Sequence, residues 1–89
     1  MKKIVNGRKY DTETAALVGN WCNGFPRSDF RYRYEALYRK RTGEYFLRGA
    51  GRHGSGDAIV PLSDGDARKW VEGHLEVGEY EREFGEVAE

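Results

Sequence analysis

The chain has 89 residues, with 15 Lys/Arg balanced by 15 Asp/Glu, 38% hydrophobic and 13% aromatic residues, and one cysteine. That length holds one domain with a modest core, because a chain this size buries only about 60–65% of its unfolded surface. The aromatic content excludes general disorder, the lone Cys22 excludes an intramolecular disulfide framework, and no run approaches the ~18 apolar residues of a membrane span.

Ile4-Val5 after Met1-Lys2-Lys3 is too short for a secretion signal, so a reducing cytoplasm is expected. The zero net charge hides an asymmetry. Residues 1–56 hold 12 Lys/Arg and 5 Asp/Glu, a balance of +7, and residues 57–89 carry −7. Either the two halves fold against each other and cancel, or the chain meets a charged partner.

Asn6-Gly7 lies between short β-compatible arms, the pattern of a type I′ hairpin, with Ile4 and Val5 on one arm and Tyr10 on the other. Asp11 or Thr12 then reads as a helix cap. Leu17, Val18 and Trp21 at i, i+1 and i+4 predict one apolar helix face, and Asn23-Gly24 a stop, giving a helix from about Glu13 to Cys22. Phe25 to Asp29 is a connector.

Arg31 to Gly51 is the central feature, a second hairpin turning at Arg41-Thr42-Gly43. Gly43 suits the left-handed position of a three-residue loop. That turn sets Lys40 opposite Glu44, Tyr38 opposite Phe46 and Leu37 opposite Leu47, a charge pair and two apolar pairs that agree in register. Gly49 to Gly56, with four glycines, reads as a flexible loop. Ala58 to Leu62 predicts a short edge strand, since Pro61 cannot donate to a ladder. Ser63 with Asp66 three positions on starts a helix to His74, and Tyr80, Phe84 and Val87 suggest a short last helix after a bend at Val77-Gly78. The expected fold is α+β: a small antiparallel sheet of terminal hairpin, central hairpin and short edge strand, packed on one face by two or three helices, with Leu17, Trp21, Trp70 and Val71 on the helical side of the core.

Catalytic and metal patterns are weak. Gly49-x-Gly51-x-x-Gly54 has dinucleotide-binding spacing, but a strand follows it instead of a helix. In a bare loop, Arg52 and nearby amides could instead touch a partner's phosphate or carboxylate. Cys22, His53 and His74 lack metal-ligand spacing. Cys22 beside Trp21 reads as a buried packing residue rather than a nucleophile. Asp64 and Asp66 belong to a helix start. No cofactor, metal or catalytic group is expected.

The alternation of arginine and tyrosine in the hairpin is the most specific signal. Tyr32, Tyr34, Ala36, Tyr38, Phe46 and Arg48 share one face; Arg31, Arg33, Glu35, Leu37, Arg39, Tyr45 and Leu47 share the other. Only one face can meet the helices, so the other presents aromatics, arginines or both to solvent. Such residues are enriched where proteins dock, and aromatics beside cations also stack on nucleobases. The plainer alternative is a solvated face on which arginine stems cover tyrosine rings. The acidic segment from Glu72 to Glu89 is a solvated helix face or a strip of carboxylates for an arginine-rich partner.

IVNGRKYDTETA, SDFRYRYEALYRKRTGEYFLRGAG and IVPLSDGDARKWVE together resemble a group of small bacterial proteins found in phages and integrated mobile elements. The resemblance spans almost the whole chain, and none of its motifs is catalytic. Small accessory proteins of this kind include anti-CRISPR inhibitors, which look like compact α+β modules that block a CRISPR effector by binding it. The resemblance thus implies a non-enzymatic inhibitor in the host bacterial cytoplasm, with a host defence complex as partner and nucleic acid as the second candidate. It carries over no functional residues. The contact residues expected from the surface argument are Arg31, Arg33, Tyr38, Arg39, Arg41, Tyr45, Arg48, Arg52, Glu79 and Glu83.

Overall fold

Residues 1–51 and 58–88 are described by the computed structural model. Asn6 and Gly7 adopt φ of 51° and 76°, the left-handed pair a type I′ turn requires. They join β1 (Lys2–Val5) to β2 (Arg8–Asp11). A four-stranded antiparallel sheet follows, in the order β3 (Ala16–Cys22), β4 (Arg33–Arg39), β5 (Tyr45–Gly51) and β6 (Ala58–Leu62). The chain then forms α1 (Asp64–His74) and α2 (Val77–Phe84). The architecture is α+β, as its sequence predicts.

The central hairpin has the predicted register. Tyr38 pairs with Phe46 and Leu37 with Leu47, while the Lys40 amide donates to the Glu44 carbonyl at 2.8 Å. Gly43 turns at φ 91°. Strand β6 lies at the sheet edge, where Pro61 needs no donor. Ser63 caps α1 by accepting from the Asp66 amide at 3.1 Å. Glu76 and Glu79 form a reciprocal capping box that starts α2 at Val77, where a bend was predicted. Val87 lies beyond the end of α2.

The predicted helix over Glu13 to Cys22 is instead strand β3. Its capping chemistry is real but closes only one turn: the Glu13 amide donates to Asp11 Oδ1 at 2.9 Å and the Ala15 amide to the Asp11 carbonyl at 3.1 Å. Val18, Gly19, Asn20 and Trp21 are poor helix formers, and β4 offers them a full ladder. The apolar spacing misled because a bulge lies between Leu17 and Gly19. The extra residue brings Val18 and Trp21, three apart, onto one cluster, imitating helical periodicity. Leu17 ends on the opposite face with 53% of its surface exposed, so it is no part of the helical core. Cys22 is exposed at the end of β3, contrary to the buried packing role. Gly49 and Gly51 belong to β5, while Arg52, His53 and Gly54 lie outside the described residues.

Both sheet faces are covered. On one, Leu37 and Tyr45 meet Ala67, Trp70 and Val71 of α1, with Val18, Trp21, Leu47, Leu75, Tyr80 and Phe84 around them. On the other, the terminal hairpin brings Tyr10 onto Phe46 and Ile59, flanked by Val5, Ala15 and Tyr38. Phe46 is fully buried, with Tyr38 stacked on it at 5.3 Å and Tyr10 edge-on at 5.4 Å. The expectation of an open tyrosine face is therefore corrected: a ribbon of four-residue strands closes it over Tyr38 and Phe46.

Candidate interaction surfaces

The predicted contact residues divide into an internal lock, two separated surface patches and a helix cap. Glu83 of α2 accepts hydrogen bonds from the Tyr45 hydroxyl at 2.6 Å and from Arg39 at 2.5 Å. Burial, with the bond to Glu83 second, pushes the Tyr45 phenol up to about 12. The hydrogen bond to Glu83 likewise raises Arg39. Three of the expected contact residues thus satisfy one another and fasten α2 to the sheet. Tyr38 contributes its ring to the second core, and Glu79 caps α2 through the Glu76 amide at 3.2 Å. Arg48 is half-buried on β5.

The first surface patch is the connector between β3 and β4. Gly24 turns the chain at φ 85°, and the side chain of Asn23 ties the loop ends together. Its amide nitrogen donates to the Arg31 carbonyl at 2.6 Å, and its oxygen accepts from the Arg33 amide at 3.2 Å. Arg31 grips Asp29 in a bidentate pair of 3.1 and 2.8 Å while lying over the Phe25 ring at 4.2 Å. Those hydrogen bonds raise the Arg31 guanidinium further above its ordinary range. Arg27 lies at 6.0 Å over Tyr32, and Arg33 donates to the carbonyls of Tyr32 and Phe30. The outcome is an ordered loop that presents Phe30 at 64% exposure and Phe25 at 36%, among Arg27, Arg31 and Arg33.

The second patch lies at the other end of β4, where the terminal hairpin meets the central turn. Arg8, Lys9, Lys40 and Arg41 border a shallow cleft of about 490 Å³ together with Asp11, Thr14 and Thr42. Glu44 partly neutralises it, holding Arg8 at 2.7 Å and Lys40 at 3.4 Å. Hydrogen bonding from Thr42, then from Lys40, lowers the Glu44 carboxyl. Lys40 also lies over the Tyr10 ring at 4.3 Å. The seven residues of β4 separate the two patches by about 20 Å. Arg31 and Arg33 therefore do not join Lys40 and Arg41 in one stripe, and Arg39 between them is committed to Glu83.

Sequence reasoning passed over Phe25 as a connector residue and gave Phe30 no role. The signal was present as two phenylalanines and three arginines within nine residues, 25–33, without the pleated alternation that draws attention to strands. A third cluster, also unforeseen, sits under α1. The His74 ring lies 4.7 Å from Trp21 and 4.8 Å from Trp70, and Trp70 Nε1 donates to Glu35 at 3.2 Å. His74 Nδ1 is 2.8 Å from the Trp70 carbonyl, which fills its hydrogen-bonding role as the helix ends. Among the described residues no group of three or more His, Cys, Asp or Glu could hold a metal ion, and no helix is long and apolar enough to cross a membrane.

No protein-family model, curated protein or solved structure matches the chain. The surface chemistry is what bears on function.

Proposed function

We propose that this chain is a non-catalytic protein-binding module that inhibits a host defence complex, a CRISPR effector, by stoichiometric docking in the bacterial cytoplasm. The observation that carries the binding reading is the exposed Phe30, held among Arg27, Arg31 and Arg33 on a loop ordered by Asn23 and Asp29. Aromatic and arginine side chains dominate the energetics of protein interfaces. A loop already fixed by its own hydrogen bonds loses little freedom on docking. The choice of target rests on the resemblance to small phage and mobile-element proteins, and the cytoplasmic setting on the same ground.

Mixing the chain with a purified CRISPR effector complex should give a co-eluting stoichiometric assembly on size exclusion. No assembly with any of several effector types contradicts the reading. The alternative, a nucleic-acid-binding protein, is supported by the basic patch at Lys40 and Arg41, and predicts retention on heparin that falls steeply with salt. The division of the arginines into two patches favours the protein partner, because a nucleic-acid strand is best followed by a continuous basic track.

A further inference from the structure

Helix α2 is amphipathic, yet none of its residues is fully buried. One side packs on the sheet through Tyr80 and Phe84. The other opens, together with α1, into a groove of about 340 Å³ floored by Val71, Leu75 and Tyr80. At its rim Val77 is 73% exposed and Val87 59% exposed. The polar part of the lining is wholly acidic: Glu72, Glu76 and Glu81. Glu76 is engaged as the α2 cap and Glu81 accepts from the Val87 amide at 3.4 Å. Neither contact neutralises a charge, and among the described residues no ion pair forms at any of the three.

We infer that this groove docks a basic amphipathic segment of a partner protein, one that offers an apolar side chain flanked by arginines or lysines. The apolar floor is the shape that takes an anchor side chain in helix-in-groove recognition. The rim selects the sign of the flanking charges, since like charges brought together across an interface repel. The same repulsion disfavours a symmetric pairing of two copies, which would set these glutamates against themselves. The inference goes beyond the Phe30 contact proposed above and shares no residue with it.

The test uses the intact chain and two designed peptides, one with leucine at i, i+3 and i+7 and arginine elsewhere, the other with glutamate in place of arginine. Amide chemical shifts should move at Val77, Tyr80 and Val87 with the arginine peptide only, and the affinity should fall as salt rises. Glu72→Arg and Val77→Ser, both at exposed positions, should each weaken it about tenfold with an unchanged unfolding midpoint. No shifts at about 1 mM peptide, equal uptake of both peptides, or shifts confined to other surfaces overturns the inference. Self-association abolished by Val77→Ser, with no peptide uptake, overturns it in favour of a second copy as occupant. Co-elution with an effector reads the Phe30 surface separately, so the two claims fail independently.

Discussion

The phenol of Tyr45, at the start of β5 on the helix-covered sheet face, donates to Glu83 at 2.6 Å, and Arg39 reaches the same carboxylate oxygen from the neighbouring strand. No residue of α2 is fully buried, and this polar lock joins the packing of Tyr80 and Phe84 in holding the helix in place. Replacing Glu83 with alanine leaves the buried hydroxyl without its acceptor and should lower stability by about 1–3 kcal/mol. Glu83→Gln keeps an acceptor for Tyr45 and should lose less. Urea unfolding of the two variants orders them.

The same contact sets an alkaline limit. Tyr45 titrates near 10.0 when unfolded and at about 12 when folded. Its folded value is the higher one, so the neutral phenol contributes stability that is intact below about pH 10 and is lost as pH rises through 12. Phenolate absorbance should show a late step from Tyr45, in step with unfolding. Tyr45→Phe should remove that late step; its persistence in the variant would assign it to another ring.

Gly19 is needed for a close approach. A Cβ at this position would lie 2.5 Å from Leu75 Cδ1, where the end of α1 meets β3. Leucine tips can shift, so the branched Gly19→Val is the discriminating change and should cost about 1–3 kcal/mol. If crowding is the cause, Gly19→Val combined with Leu75→Ala should cost less than the two single changes summed. Additive losses would show that contact with Leu75 is not the cause.

Phe46 joins the terminal hairpin to the sheet. Truncation to alanine should cost about 3–5 kcal/mol, because the ring is fully buried between Tyr10 and Tyr38. Tyr10→Ala should loosen β1 and β2 first, visible as hydrogen exchange rising there ahead of β4 and β5. Uniform loss of protection would show that the two sheets unfold as one unit.

These dependencies explain which parts of the fold could be read from sequence. Turn chemistry is local, so Asn6-Gly7, Gly43 and Ser63 announced their hairpins and helix start without reference to the rest of the chain. The bulge at Val18 is not local. It exists because β4 is available to pair with, and it turned a strand into an apparent helix. Counting the terminal hairpin into the one sheet also hid the cover on the second face, because β1 and β2 form a separate two-stranded sheet that lays Tyr10 on Phe46. The arginine and tyrosine residues were noticed for their density, but density did not distinguish Arg39 and Tyr45, bound to Glu83, from Arg31 and Arg33, which stay at the surface. That separation depends on where α2 lands.

The claim that the ordered aromatic–arginine loop is the docking surface is tested most directly by comparing Phe30→Ser and Arg33→Glu with Arg41→Glu in co-elution with a CRISPR effector. All three positions are exposed, and their unfolding midpoints should stay within about 0.5 kcal/mol of the parent. The first two should abolish the assembly while Arg41→Glu retains it. Loss with Arg41→Glu alone, or retention in all three, would contradict the assignment.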